Sequence, residues 1–360
     1  MGSGPAWMRL RLLDLEERMS HSTPLTLMGA PGSPYTRKML AVLRYRHLPY
    51  RLHLSRDGMP AGLPVPKVAL LPTFFLPNAA GEMEAVVDST PLIRRFEREF
   101  EGRSVIPTDP AIAFLDYLLE DYADEWLTKP MFHYRWHFQA DIDKAASILP
   151  RWTLKPQVEE EALKLAKIFS DRQISRLHVV GSNNETAPVI EASYERYLAA
   201  MKAHLETSSF LFGARPGSSD FGMYGQLTQL ATFDPTPMQL TLDKAPAVYA
   251  WVDMVDDLSG VEADENAWTK RDAIPDTLVD VFKQVGAYYV PALLANAKAL
   301  MNGDEQVETE IDGARWTQKP FAYQGKCLQW LREQHAALAD ADRALVDEVL
   351  ADTGCEKIFA

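Results

Sequence analysis

The alternation of apolar and polar residues between positions 25 and 100 predicts a small α/β unit. The segment LTLMGA is typical of a short buried strand, and after the loop PGSP the apolar residues Tyr35, Met39 and Val42 recur at helical spacing. YRLHLS then alternates as a strand with one covered face does. The strands TFFL and EAVVD and the helix STPLIRRFEREF, with Ser89 as its N-cap, complete the unit. The predicted order is β-α-β, a connection, and β-β-α.

From residue 104 onward the pattern is helical almost throughout. AIAFLDYLLEDYADEWLTKPMFHYRW predicts one long amphipathic helix, EASYERYLAAMKAHLE another, and DFGMYGQLTQLATF a helix buried in a bundle. Near the end, QVETEIDGARWTQ alternates on both sides of Asp312-Gly313, which predicts a β-hairpin. We therefore predict an N-terminal extension over 1–24, a thioredoxin-like α/β domain over 25–103, an all-helical domain over 104–300, and a C-terminal extension with the hairpin and further helices over 301–360.

Charge and composition exclude several classes of partner. The formal net charge of −13 over 360 residues repels a polyphosphate backbone, so nucleic acid is not an expected partner. The two cysteines, Cys327 and Cys355, cannot form a disulfide framework or a thiolate zinc site, and they suit a reducing compartment. No apolar run approaches the length that spans a bilayer. We expect a cytoplasmic protein that does not associate with a membrane.

The segment GSPYTRK places Ser33 before Pro34 at the predicted start of a helix. Proline is tolerated in the first helical turn and serine caps it, so a cap alone explains the pair. A helix N-terminus also presents unpaired N–H donors, which stabilise an anion by about 0.3–1 kcal/mol. If a ligand brings a thiolate there, the serine hydroxyl adds a hydrogen bond to the ionised form and lowers the thiol pKa.

Three segments together resemble the N-terminal domain of the glutathione S-transferase superfamily: LMGAPGSPYTRKMLAVLRYRHLPYRLHL, a proline before TFFL, and VVDSTPLIRRFE. The helical remainder resembles the C-terminal domain of that superfamily. The resemblance implies an enzyme that activates the thiol of glutathione, its co-substrate, for attack on a small hydrophobic electrophile. It also implies a homodimer.

The resemblance assigns the thiol-binding role to a residue of the first helix. Ser33 stands where family members place a serine, tyrosine or cysteine that serves the thiol of glutathione. Tyr35 is a poorer candidate, because its helical phase joins the apolar face. Members with cysteine form mixed disulfides or remove glutathione, whereas those with serine usually activate it as a nucleophile.

Two further positions carry over from the resemblance. Family members have a cis-proline before the third strand, and the residue before it binds the cysteinyl backbone of glutathione. Leu71-Pro72 is preferred for this role over Val65-Pro66, because TFFL follows Pro72 at once. In the segment DST, the resemblance implies that Asp88 binds the ammonium and Ser89 the carboxylate of the γ-glutamyl end.

Two other functions stay open on the sequence. One is a non-catalytic protein that binds glutathione or another ligand, or that contacts proteins through the C-terminal extension. The other is a different glutathione-dependent reaction, such as isomerisation, reductive dehalogenation or ether cleavage.

The segment MFHYRWH is the other candidate for chemistry. His133 and His137 are four apart, which places them on one helical face as zinc ligands require, but no third ligand is indicated and we predict no metal site. The resemblance suggests that residues of this helix, with Tyr35, line the second-substrate pocket, although aromatic residues at helical spacing more often form a core. The residues of the helix are His133, Tyr134, Arg135 and Trp136.

Two further segments give structural expectations. In EDYADE, residues 120–125, the pattern predicts a solvated acidic helix face. In FLFGARPGSSDFGMYGQL, Gly217 occupies the position of the cap residue three before Asp220, where the family usually has serine or threonine.

Overall fold

The structure, a computed structural model, describes residues 23–55, 59–152 and 158–360. Its first part contains a four-stranded sheet of β1 (Leu25–Met28), β2 (Tyr50–His53), β3 (Thr73–Pro77) and β4 (Met83–Val86). The order across the sheet is β2-β1-β3-β4, with β1 parallel to β2 and antiparallel to β3, and β3 antiparallel to β4. Helix α1 (Pro34–Tyr45) joins β1 to β2, and α2 (Ser89–Glu99) follows β4. The predicted thioredoxin-like arrangement is confirmed.

Helices dominate the rest of the described chain. They are α3 (Pro110–Glu125), α4 (Thr128–His137), α5 (Gln139–Ile148), α6 (Glu159–Ile174), α7 (Ala187–Leu205), α8 (Ser218–Leu230), α9 (Pro235–Lys244), α10 (Pro246–Val255), α11 (Asp276–Gln284), α12 (Val290–Asn302), α13 (Ala322–Ala337) and α14 (Asp340–Leu350). Three 3-10 turns cover Leu149–Arg151, Leu177–Val180 and Cys355–Ile358, and the π-helical turn Val285–Tyr289 joins α11 to α12. Within the described ranges, no helix has the length and hydropathy that crossing a bilayer requires.

The hairpin near the C-terminus occurs where the alternation predicts it. Strands β5 (Val307–Ile311) and β6 (Ala314–Gln318) pair antiparallel. Asp312 and Gly313 between them have φ of 52° and 77°, so they form the two-residue turn with two positive φ angles that suits the twist of a hairpin. Trp316 of β6 is fully buried, with its ring centroid 5.5 Å from that of Trp126. The hairpin is therefore packed into the helical domain.

The long helix predicted over AIAFLDYLLEDYADEWLTKPMFHYRW is wrong in one respect, because the chain breaks it into α3 and α4 at Trp126 and Leu127. Pro130 has no N–H to donate to the carbonyl of Trp126, and its ring disfavours a regular helix at that carbonyl. The Trp126 carbonyl accepts instead from the N–H of Lys129 at 2.8 Å. Two helices therefore replace the single predicted one.

Helix α8 begins after Gly217, as the sequence predicts, but part of its cap comes from another helix. The Asp220 carboxylate accepts from the N–H of Gly217 at 2.8 Å. Asp116 of α3 accepts from the N–H of Ser219 at 3.1 Å and from the hydroxyl of Ser218 at 2.6 Å. A Cβ on Gly217 would lie 2.3 Å from Asp116 Oδ1. Glycine is therefore required while Asp116 fills this space.

A second glycine lets the helical domain approach the start of α1. A Cβ on Gly225 of α8 would lie 2.6 Å from the carbonyl oxygen of Pro34. Helix α8 is buried along its whole length, so this contact fixes the first turn of α1 against the rigid core of the helical domain.

Candidate functional site

Ser33 lies at the N-terminus of α1, where the sequence places it. It is the N-cap, and its Oγ accepts from the N–H of Thr36 at 3.2 Å. The same hydroxyl donates to the carbonyl oxygen of Leu71 at 3.2 Å. The serine is partly exposed. It therefore serves as a cap and also joins the start of α1 to the loop before β3.

The loop before β3 contains the cis peptide bond between Leu71 and Pro72. Of the two residue pairs considered from the sequence, Leu71-Pro72 has the cis bond and Val65-Pro66 does not. Pro72 directly precedes β3 and is buried, whereas Leu71 is partly exposed beside Ser33. The backbone of Leu71 and the hydroxyl of Ser33 thus meet at the end of the two central strands, after β1 and before β3.

Asp88 and Ser89 lie at the start of α2. The predicted N-cap is wrong by one residue, because α2 begins at Ser89 and Asp88 is its cap. Asp88 has φ 84°, a conformation that is uncommon outside glycine and costs backbone energy. Ser89 is buried, with its Oγ 3.5 Å from Asp124 Oδ2.

A residue of the C-terminal segment contacts Asp88. Tyr323, in the first turn of α13, donates its hydroxyl to Asp88 Oδ2. Burial raises the pKa of Asp88, while the Tyr323 hydrogen bond and the charge of Lys38 act in the opposite direction. No local pattern in the sequence indicates this contact, since the two residues are 235 positions apart in the chain. The carboxylate assigned to a ligand ammonium is therefore bonded to the protein's own tyrosine.

The loop that carries Ser33 is held by the helical domain through Arg135 of α4. Its Nη1 donates to the carbonyl of Gly32 at 3.0 Å, and its Nη2 donates to Gln229 Oε1 at 2.6 Å. Its guanidinium also pairs with the buried Asp234 at 2.9 Å. Gln229 in turn donates to the carbonyl of Pro31 at 3.2 Å. One buried arginine thus positions the start of α1.

The expectation that EDYADE is a solvated acidic face is wrong. Glu120 and Asp124 are buried, and the buried Lys38 of α1 lies 2.7 Å from Glu120 Oε1 and 2.5 Å from Asp124 Oδ2. Arg94 of α2 lies 2.5 Å from Glu120 Oε2. A lysine within the apolar run KMLAVL was the one available signal for this network. The network joins α1 and α2 to α3 just behind the candidate site.

Burial and neighbouring charges divide these carboxyl groups into two kinds. Burial opposes ionisation of Glu120, but Arg94 and Lys38 outweigh it and lower its pKa to about 2. Burial raises the pKa of Asp121 to about 7, although the Tyr289 hydroxyl donates to this carboxylate at 2.6 Å. Burial, with the charges of Asp121 and Asp124, raises the pKa of Glu125 to about 8.

These raised pKa values predict that the folded state loses stability as the pH rises from about 4.5 to about 8. A carboxyl whose folded pKa exceeds its unfolded value stabilises the fold below the unfolded pKa, and this contribution disappears as pH rises through the folded pKa. For Glu125 the pKa goes from 4.5 in the unfolded chain to about 8, which gives a decline on the order of 5 kcal/mol between those two pH values. Urea denaturation at a series of pH values measures it.

The matched variants are Glu125→Gln and Glu161→Gln, the latter on the exposed face of α6. Glu125→Gln is expected to flatten the pH dependence, and Glu161→Gln to leave it unchanged. An equally steep decline in Glu125→Gln and wild type would contradict the assignment.

The side chains suggested for a second-substrate pocket lie in different surroundings. Tyr35 donates its hydroxyl to the carbonyl of Asp124 at 2.7 Å, at the junction of α1 and α3. Tyr134 is buried and stacks on Phe138, with ring centroids 5.4 Å apart. Trp136 is buried against Phe169 of α6, at 5.8 Å. Tyr134 and Trp136 therefore have the surroundings of core residues. Their role in binding a second substrate stays a prediction.

His133 has partners that the sequence did not indicate. It is fully buried, and its Nδ1 lies 2.8 Å from Ser182 Oγ. Its Nε2 lies 3.2 Å from Glu191 Oε1 on α7, and its ring stacks on that of His137 at 4.6 Å. The structure thus brings a carboxylate to the histidine pair, where the sequence suggested no third group.

Comparison with known proteins agrees with this two-part organisation. Residues 27–104 match the family model "Glutathione S-transferase, N-terminal domain", and residues 165–253 match "Glutathione S-transferase, C-terminal domain". No curated protein matches the chain.

Several solved structures are similar at low identity. A GST-like protein from Pseudomonas syringae is 19% identical with a TM-score of 0.34, over 64% of this chain and 66% of that chain. A glutathione S-transferase from Methylobacterium radiotolerans, in complex with glutathione sulfonate, is 18% identical with a TM-score of 0.39, over 69% and 98%. A glutathione transferase family member from Pseudomonas fluorescens, with bound S-(propanoic acid)-glutathione, is 17% identical with a TM-score of 0.34, over 66% and 98%.

The fold and the two family matches define the class of this protein. A thioredoxin-like domain matched by the N-terminal model precedes a helical domain matched by the C-terminal model, in the order that the superfamily has. The chain belongs to the glutathione S-transferase superfamily.

Proposed function

We propose that this chain is a glutathione transferase-like enzyme that activates the thiol of glutathione for attack on a small hydrophobic electrophile. The observation that carries the proposal is the position of the Ser33 hydroxyl, which caps α1 and lies 3.2 Å from the carbonyl of Leu71. That hydroxyl lies at the N-terminus of α1. It is next to the backbone of Leu71, which is expected to bind the cysteinyl part of glutathione. An anionic sulfur there gains one hydrogen bond and a favourable helix dipole.

In the proposed reaction, the Ser33 hydroxyl donates to the sulfur of glutathione in place of the Leu71 carbonyl. The proton of the thiol passes to water, and the electron pair of sulfur forms the bond to the electrophilic carbon. The leaving group takes the electron pair of the bond that breaks. No histidine is assigned as a general base, so the rate comes from the thiolate population and from proximity.

The remaining assignments follow the same arrangement. The backbone of Leu71, before the buried Pro72, binds the cysteinyl segment, and Asp88 and Ser89 bind the γ-glutamyl end at the start of α2. The proposal also includes a cytoplasmic homodimer, a small electrophile as second substrate, and the division into segments at 24/25, 103/104 and 300/301.

One observation favours the alternative, a non-catalytic member of the superfamily. The Tyr323 hydroxyl already bonds the carboxylate that is expected to bind the ligand ammonium. In that alternative, the C-terminal segment closes this end of the site, and the fold serves ligand or protein contacts without turnover.

Calorimetric titration with glutathione separates these outcomes. We expect wild type to bind one equivalent and Tyr323→Phe to bind about tenfold more tightly, because the variant frees a carboxylate from a charge-assisted hydrogen bond. Tyr249→Phe, on α10, is the matched control and is expected to bind as wild type does.

The results are distinguishable. Absence of glutathione binding in wild type and in Tyr323→Phe contradicts the proposed function. Binding in Tyr323→Phe alone, with no turnover over a panel of electrophiles, supports the non-catalytic alternative. Equal affinity in wild type and Tyr323→Phe shows that Tyr323 does not restrict the ligand.

A further inference from the structure

Two histidines and a glutamate converge in the helical domain. His133 and His137 lie one turn apart on α4, and Glu191 lies on α7. One potential ligand atom from each lies within 4.8 Å of the other two. We propose that His133, His137 and Glu191 form a binding site for a divalent transition-metal ion of the Zn²⁺ type.

The spacing of the ligand atoms suits such an ion. Bonds of about 2.0–2.1 Å in a tetrahedral zinc site place neighbouring ligand atoms about 3.3 Å apart. His133 Nε2 and Glu191 Oε1 are already 3.2 Å apart. Two imidazoles and one carboxylate are the ligand set that zinc takes when its fourth position holds water.

A further contact orients the buried ligand. The Nδ1 of His133 lies 2.8 Å from Ser182 Oγ, and Ser182 is itself buried. When Nδ1–H donates to Ser182, the lone pair of Nε2 is left for the ion, so the imidazole is fixed in the ligating tautomer. Metal-binding histidines usually have such a partner on the ring nitrogen that does not bind the metal.

The charges around the site favour a cation. Glu191 supplies a carboxylate, and Glu195 lies one turn further along α7.

The site is also open to an entering ion. His137 is exposed, and the side chain of Glu191 is 36% exposed, whereas His133 lies beneath them. The exposed side leaves room for water as the fourth ligand, and both outer ligands can be substituted without opening a cavity in the core.

The experiment measures Zn²⁺ binding by the whole chain after removal of metal with a chelator and dialysis. Competition against a chromophoric zinc indicator is expected to show one tight equivalent in wild type. His137→Gln and Glu191→Gln are each expected to weaken it by about tenfold or more. His178→Gln removes an exposed histidine outside the site, whose Nδ1 lies 3.0 Å from the carbonyl oxygen of Ser175, and is expected to bind as wild type does.

Two further readouts exclude a non-specific effect. Co²⁺ is expected to give visible d–d absorption in wild type that His137→Gln lacks, and Zn²⁺ is expected to raise the Tm of wild type but not of Glu191→Gln. Absence of a tight equivalent in wild type, or equal weakening by His178→Gln and His137→Gln, overturns the proposal. Neither outcome depends on glutathione binding, so the failure of this proposal can be distinguished from the failure of the proposed function.

Discussion

Replacing Ser33 with alanine is expected to raise the pKa of the bound glutathione thiol by about one to two units, because a hydrogen bond to a charged group is worth about 1.5–3 kcal/mol. At neutral pH the thiolate population, and with it the rate of conjugation, is expected to fall by about ten- to a hundredfold. The measurement is the far-ultraviolet absorbance of the thiolate across pH in the complex. A bound thiol that titrates alike in Ser33→Ala and wild type would remove the catalytic role of Ser33.

The cap function of Ser33 needs its own control, because alanine also removes the acceptor for the N–H of Thr36. That loss is expected to cost about 1 kcal/mol of stability. Ser33→Thr keeps a hydroxyl and a cap, so it is expected to restore stability and to recover part of the thiolate. If Ser33→Thr recovers stability but none of the thiolate, Ser33 acts only as a helix cap.

Replacing Arg135 with methionine is expected to lower the free energy of unfolding by about 3–5 kcal/mol, because it leaves the fully buried Asp234 without its cation. The loop of Ser33 also loses the donor to Gly32 and the guanidinium that holds Gln229. Urea denaturation measures the loss. Arg172→Ala, on the exposed side of α6, is the control and is expected to change stability by about 0.5 kcal/mol or less.

A double variant tests the physical cause of that loss. In Arg135→Met/Asp234→Asn no charge remains buried without a partner, so the double variant is expected to be more stable than Arg135→Met alone. The double variant could instead lose as much free energy of unfolding as the two single variants lose together. In that case the two side chains act independently and the buried pair is not the cause.

The elements of this fold that could be predicted from the sequence depend on local pattern. The alternation in YRLHLS, the helical phase after Ser33 and the turn Asp312-Gly313 each reflect contacts within a few residues, and the structure has the corresponding strand, helix and hairpin. The preference for Pro72 also rested on a local signal, the strand directly after it, and the bond before Pro72 is the cis bond.

The unpredicted parts depend on partners distant in the chain. The acids of EDYADE are spaced as a solvated face would be. Lys38 and Arg94, from two other helices, pair with the buried Glu120, and Lys38 also pairs with Asp124. Glu191 joins His133 because α7 packs on α4, and Tyr323 meets Asp88 because the C-terminal segment returns to the first domain. The pattern of apolar and polar residues around one member of such a pair does not indicate the other member.

The cap of α8 has a consequence for how this sequence can vary. Asp116 and Gly217 share one volume, since a Cβ at 217 would lie 2.3 Å from Asp116 Oδ1. A serine at 217, which could cap the helix itself, fits only if the side chain at 116 becomes smaller. Loss of Asp116 alone leaves the N–H of Ser219 without its acceptor. Each change is costly alone and tolerable with the other, so the two positions are expected to exchange together and their effects to be non-additive.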